Sequence, residues 1–357
     1  MNSENNIALG DLAPFVLPLC YIASSQDPVS NIKKLDGPWE MIWRNGDASD
    51  PNFFYVAKND TQKLVALIIR GSVISKGIFS EWDAFVDWIV EDLSDELVYW
   101  PFTSEGWNFT NGEPPCIGAG SYILLSQMIN AKNKMEGKAA DLLHKFLFNF
   151  SKANPGYQLV IGGHSLGGNT AKVYTSFYLD YLSKIEHSPE AMAQVSLCTF
   201  AAPASGNVAF TNDLDAKLTQ QIHYQNTSDV VPFFPTYSGM DYVKDLYHPH
   251  PSAHTIEIGK DPFGGTIFLS AAIMMLAGKL KALNYKEPNM RYLKPLNIKV
   301  IEKEGIIENN ALAWMGQAGA QHQIGVYAAF LNIPLPKIDT AISPDNAKNK
   351  TTEALAL

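Results

Sequence analysis

The stretch Gln158-Leu159-Val160-Ile161-Gly162-Gly163-His164-Ser165-Leu166-Gly167-Gly168 decides the fold of this 357-residue chain. Its first four residues form a compact strand, and the apolar run from Leu166 to about Leu182 reads as a helix. Between them lies Gly163-x-Ser165-x-Gly167. A serine on such a turn needs special backbone dihedrals, and a side chain at either flank would collide with the neighbouring strand or helix. The turn lifts the hydroxyl above the sheet edge and aims the following N–H, that of Leu166, at the place where an oxyanion would form. Alone, the five-residue pattern arises by accident in roughly one chain in ten of this length. The strand before it, the helix after it and the extra Gly162 and Gly168 make it specific. A glycine-rich turn without chemistry is the competing reading.

Outward from the turn, strand and helix alternate, which predicts an α/β layer architecture. Phe53 to Lys58 and Leu64 to Ile69 are short apolar runs around Asn59-Asp60, a hairpin signal. Trp82, Phe85, Val86 and Ile89 share one helical face. Ser121 to Met135 and Ala139 to Phe150 read as helices, the second with Leu142, Leu143, Phe146 and Phe150 on its buried stripe and Asn154-Pro155-Gly156 as its stop. Val195 to Phe200 and Ile222 to Gln225 read as further strands. The 17 residues from Pro262 to Gly278 carry no charge, which is short for a membrane span; a helix buried on every side is expected, with a lipid-facing element as the alternative.

A serine hydroxyl needs a base held by an acid, and on folds with this turn the chain order is Ser, acid, His. Asp229 follows the strand ending at Gln225, 64 positions after the serine, in a loop stiffened by Pro232. A turn-capping role is its plain alternative. Asp213 and Asp215 are rivals, but Asn212-Asp-Leu-Asp reads as a solvated helix start. Four histidines follow Asp229. His248 and His250 lie in a Pro-rich, solvated loop, and His254 opens a strand, where a structural imidazole is usual. His322 precedes an apolar helix at a loop end, where a base belongs; position alone leaves the choice open.

Composition narrows the partners. The chain is 46% hydrophobic and 18% charged, ordinary for a globular protein, and its net charge of -9 speaks against nucleic acid and against electrostatic docking to anionic lipid. Cys20, Cys116 and Cys198 lie far apart with no metal spacing, so neither a metal site nor a disulfide framework is expected. No P-loop, dinucleotide or zinc-protease motif is present, and no cofactor is implied. No Lys or Arg precedes the apolar stretch Phe15 to Ala23, which reads as core rather than a leader; the compartment, cytoplasmic or secreted, stays open, as does the oligomeric state.

Gly-His164-Ser165-Leu-Gly-Gly resembles the class 3 (fungal-type) lipase family, an α/β-hydrolase family, and four further stretches agree. Ile69-Arg70-Gly71-Ser72 followed by Asp87-Trp88-Ile89-Val90-Glu91-Asp92-Leu93 looks like its Arg-Gly-Ser/Thr and Asn-Trp-x-x-Asp-Leu signatures, with Asp87 in place of Asn. Thr199-Phe-Ala-Ala-Pro203-Ala-Ser-Gly206-Asn207, Asn226-Thr-Ser-Asp229-Val-Val-Pro232 and His322-x-x-x-x-Tyr327 are similar to its later motifs, in the same order. The resemblance spans Phe53 to Leu331. It implies Ser165 as nucleophile, Asp229 as acid and His322 as base, with Ser72 and the Leu166 N–H as oxyanion donors and Gly163, His164 and Gly167 completing the nucleophile elbow. It also implies a lid over about 73–92 with Trp82, Phe85 and Ile89 as its apolar face, for which a core-packing helix is the alternative. The 93-residue interval from Asp229 to His322 is longer than the family's and implies an insertion over about 237–320.

The whole, residues 1–357, is therefore expected to be a single α/β-hydrolase domain: a mostly parallel sheet flanked by helices, core about 53–331, and a loosely ordered polar tail over about 334–357. The expected activity is hydrolysis of carboxylic esters of acylglycerol-type lipids through an acyl-enzyme, at a lipid–water interface and without a stable membrane span. A phospholipase A1, including an effector-like one, a non-catalytic lipid- or partner-binding module, and acyl transfer or thioester hydrolysis are the alternatives.

Overall fold

The computed structural model describes residues 7–71, 96–102, 112–248, 250–300 and 308–338. Helix α1 (Ala13–Ala23) precedes three antiparallel strands, β1 (Trp39–Arg44), β2 (Phe54–Asn59) and β3 (Leu64–Ile69). A small ribbon of β4 (Leu97–Tyr99) and β5 (Cys116–Gly118) leads into α2 (Ala119–Asn130) and α3 (Leu143–Ala153). Then strand and helix alternate: β6 (Gln158–His164), α4 (Leu166–Lys184), β7 (Val195–Phe200), α5 (Val208–Lys217) and β8 (Gln221–Asn226). The remainder comprises α6 (Tyr237–Val243), the hairpin of β9 (Glu257–Lys260) and β10 (Thr266–Phe268), α7 (Leu269–Leu280), β11 (Leu293–Leu296), α8 (Ala311–Gln321) and α9 (Ile324–Phe330).

The main sheet has seven strands in the order β1-β2-β3-β6-β7-β8-β11, parallel from β3 to β11. Helices cover both faces, so its central strands are buried on both sides and read as unbroken apolar runs. In β3 all six residues are buried: Val65, Leu67 and Ile69 join the core under α3 and α4, while Leu64, Ala66 and Ile68 join the core under α1. That two-residue alternation is the pleat itself. A third core lies beyond the strand ends, built from Val230, Val231 and Phe234 with Leu269, Ile273, Leu276, Trp314 and Met315, and it reaches Leu166.

Sequence and structure differ in four places. α2 ends at Asn130 and α3 begins at Leu143 rather than Ala139, because residues 131–142 close on themselves through the Lys132–Leu142 bridge and an Asn133 N–H to Asp141 carbonyl bond of 3.1 Å. On α3 the buried stripe is Leu143, His144, Leu147 and Phe148, with Phe146 and Phe150 only half-buried. His254 does not open a strand; it lies in a turn, exposed, with its Nε2 2.6 Å from an Asp245 carboxylate oxygen. The uncharged segment is a strand followed by α7, and α7 buries one side only, leaving Ala271, Met275 and Gly278 exposed. Its remaining apolar side chains have one sheet-side core to enter, not two.

Candidate active site

Register places the carboxyl ends of β3, β6, β7, β8 and β11 together: Ile69 pairs with Gly163, His164 with Phe200, Phe200 with Tyr224, and Leu296 with Asn226. Loops leaving such an edge converge, which is where open α/β sheets place their chemistry. Ser165 leaves β6 at this edge with φ 59° and ψ −131°, a combination that L side chains rarely adopt and that costs of order 1–3 kcal/mol. Two glycines make the turn possible. A Cβ on Gly163 would sit 2.3 Å from the Gly167 carbonyl oxygen, and one on Gly167 would sit 2.2 Å from the Ile69 carbonyl oxygen. The elbow is thus wedged against the end of β3, where a Cβ on Gly71 would come 3.3 Å from that of Ser165.

The Ser165 N–H donates to the Phe200 carbonyl at 3.0 Å, and its own carbonyl accepts from Gly168 at 2.9 Å. Leu166 is the first residue of α4, so its N–H is among those that the helix cannot satisfy, and the positive end of the helix dipole lies there. Both features suit a developing negative charge.

Asp229 sits three residues past β8, fully buried, and its carboxylate accepts three donors. Oδ1 takes the Val231 N–H at 3.0 Å; Oδ2 takes His322 Nδ1 and the Tyr327 hydroxyl, both at 2.8 Å. With Nδ1 donating, Nε2 is the His322 nitrogen that can accept a proton. His322 caps the end of α8, as its position at a loop end suggested. Its ring lies against that of His164, centroids 4.6 Å apart, so the imidazole is at the elbow. His164 Nε2 in turn donates to the His322 carbonyl at 2.9 Å. Burial, helped by the neighbouring His322 ring, pushes His164 well below the ordinary histidine range, with its bond to that carbonyl opposing. His164 is therefore neutral, and its Nε2–H props the His322 backbone.

Asn226, the last residue of β8, ties the two loops together. Its side-chain oxygen accepts the Ser228 N–H at 2.9 Å, its amide donates to the Gln321 carbonyl at 3.1 Å, and its backbone N–H donates to the Tyr327 hydroxyl at 3.1 Å. The Tyr247 hydroxyl adds a bond of 2.8 Å to the Ser228 carbonyl. Neither Asn226 nor Tyr247 was singled out by spacing. β8 already carries Gln221, His223 and Gln225, so one more polar residue at its end gave no signal for the first, and nothing announced the second.

Of the residues expected here, the structure brings together Ser165, Leu166, His164, Gly163, Gly167, Asp229 and His322. Ser72 and the stripe of Trp82, Phe85 and Ile89 lie outside the described residues, although Gly71 brings the chain to the elbow. The rival Asp215 is not at a solvated helix start: it is buried in the last turns of α5, holding the Gln221 amide at 3.0 Å and the Asn289 N–H at 3.0 Å. Among the described residues no group of side chains could hold a metal ion, and no helix is long and apolar enough to cross a membrane.

Residues 67–239 match the family Lipase (class 3). No match is found among curated proteins. Among solved structures, the M37 lipase is 18% identical, with 89% of this chain and 94% of that chain covered and a TM-score of 0.64. A triacylglyceride lipase of Rhizomucor miehei is 20% identical over 66% of this chain and 76% of its own, TM-score 0.44. Lipase II from Rhizopus niveus is 16% identical over 65% and 76%, TM-score 0.45. The likeness to M37 lipase is one of fold: the mostly parallel seven-stranded sheet flanked by helices is of the α/β-hydrolase type.

Proposed function

We propose that this chain, with its class 3 lipase segment over residues 67–239, is a serine carboxylic ester hydrolase acting on acylglycerol-type lipids. The observation that carries the reading is the buried Asp229–His322 bond of 2.8 Å beside a serine held at φ 59°. Asp229 fixes the imidazole tautomer, and His322 Nε2 takes the Ser165 proton as the hydroxyl oxygen attacks the ester carbonyl. The tetrahedral oxyanion is held by the Leu166 N–H, with Ser72 as the second donor. His322 then protonates the leaving alcohol; water, activated by the same ring, releases the acid and restores Ser165. One α/β-hydrolase unit performs this, its acyl side walled by the third core that meets Leu166. An apolar wall beside the elbow suits an alkyl chain better than a peptide or sugar.

The test is labelling by a fluorophosphonate, which reacts only with an activated serine, alongside hydrolysis of p-nitrophenyl esters. Labelling is expected at Ser165, and Ser165→Ala should abolish it and lower turnover by about 10⁴-fold or more with the fold unchanged. A wild-type protein that stays unlabelled would be a binding module, not an enzyme. Comparing triacylglycerol with phospholipid and thioester substrates of equal chain length then assigns the head group.

A further inference from the structure

The exposed side of the segment from the β9–β10 hairpin to the end of α7 has no counterpart in the chemistry above. The hairpin turn presents Phe263, 97% exposed. Its shape is held from within: Asp261 Oδ1 accepts the Phe263 and Gly265 N–H groups, both at 2.8 Å, and Gly264 takes φ +86°. A phenyl ring fixed at the tip of a braced turn costs hydration without any packing return. Seven residues past the hairpin strand, Met275 is 62% exposed on the outer side of α7, between Ala271 and Gly278. The opposite side of α7, through Leu269, Ile273 and Leu276, packs in the third core with Leu166, the residue after the nucleophile. The inner side of α7 and the residue after the nucleophile thus belong to one apolar core.

Charge selects the occupant. The protein carries a net -9, yet from Glu257, where β9 begins, to Lys286 there are four lysines (Lys260, Lys279, Lys281, Lys286) and two acids, the exposed Glu257 and Asp261, whose carboxylate is engaged by the turn. All four lysines are exposed. The acids on the neighbouring α6 and the turn after it, Asp241 and Asp245, are paired with Lys244 and His254. A 17-residue uncharged stretch with Lys260-Asp261 before it and Lys279 and Lys281 after it, on an otherwise acidic protein, matches a surface that is apolar within and negative at its rim.

We infer that the Phe263 hairpin and the outer face of α7, flanked by their lysines, dock the protein on lipid surfaces carrying anionic headgroups. The ring and Met275 enter the acyl boundary while the lysines meet the headgroups, and the elbow is delivered to the interface through α7. The inference deepens the ester-hydrolase reading and rests on it for its purpose, but the binding itself does not need turnover.

Sedimentation with vesicles tests it, using the full chain as Ser165→Ala so that the lipid stays intact. Binding to equimolar phosphatidylcholine–phosphatidylglycerol vesicles should exceed binding to phosphatidylcholine alone. Phe263→Asp and, separately, Met275→Glu should weaken binding about tenfold or more. The double variant Lys279→Glu, Lys281→Glu should remove the anionic preference, each lysine contributing roughly fivefold. With Ser165 intact, the same substitutions should leave hydrolysis of a soluble short-chain p-nitrophenyl ester unchanged. Vesicle binding by both apolar-site variants at the wild-type level overturns the docking surface, and a preserved preference in the lysine variant overturns the anionic partner. Turnover of the soluble ester with no vesicle binding sinks the docking alone; vesicle binding with no turnover and no labelling sinks the hydrolase alone.

Discussion

Two clusters of buried ionisable side chains lie against the same parallel strands, and they differ in their position along them. Asp229, His322 and Tyr327 gather beyond the carboxyl ends, beside a serine with strained backbone. Lys172, His223 and Asp215 lie between α4, α5 and the strands themselves. Burial takes the Lys172 ammonium down to about 7, against the pull of Glu287 and Asp215, and its Nζ donates to the Pro203 carbonyl at 2.5 Å. Burial, with Lys172 adding to it, pushes the His223 imidazole well below the ordinary histidine range. That ring is held on both nitrogens, by Thr199 Oγ1 at 2.8 Å and the Gln221 side-chain oxygen at 3.0 Å. The second cluster is perturbed as well, but it lies along α4, α5 and the strands rather than beyond the strands' carboxyl ends. Perturbed titration marks chemistry only where an edge lets a substrate in and strain exposes a nucleophile.

That contrast can be broken by substitution. Asp229→Asn should cost about 10⁴-fold in kcat at neutral pH, because the amide disfavours the working tautomer of His322; a loss under tenfold in a steady-state ester assay would dissolve the distinction. Tyr327→Phe removes one of three donors to a fully buried carboxylate and leaves packing intact. It should lower kcat about tenfold with KM little changed, because it also strips the buried Asn226 N–H of its acceptor, a loss of roughly 1–3 kcal/mol. Lys172→Met should leave kcat/KM within a few-fold and change stability instead.

The sign of that change follows from linkage. The unfolded lysine titrates near its ordinary 10.5 and the folded one near 7, so between those values the unfolded chain binds one more proton. Stability therefore rises with pH across that window, by up to about 1.4 kcal/mol per unit, and the penalty is fully present below it. Urea unfolding of Lys172→Met between pH 6 and 9.5 should show a flatter rise than wild type. An equal rise in both would show that the ammonium is not the group responsible.

The elbow was legible because its glycines are demanded by contacts of little more than 2 Å, which no other residue type survives. Asp229 was legible because a carboxylate three residues past a strand in this fold has few other duties. His322 was not separable by position, since its place in the chain depends on the length of the excursion before it. Only the ordered set of motifs chose it, and the structure places its Nδ1 2.8 Å from the Asp229 carboxylate. β11 escaped notice: Leu-Lys-Pro-Leu is four residues with a proline, tolerable because β11 forms the sheet's edge and Pro295 has no N–H to spare. The buried Lys172 and Asp215 were also invisible, because helical charge patterns look alike whether the charged face meets water or a buried network.

Asn226 carries a consequence for how such a protein can change over time. One amide at the end of β8 grips the acid loop by one bond and the base loop by another. In the proposed mechanism the alignment of the proton relay is thereby settled locally, whatever the 92 intervening residues do. Lengthening that excursion adds only a logarithmic entropic burden. Lineages could graft, trim or replace the detour, and with it the surfaces the protein visits, while the relay stays in tune.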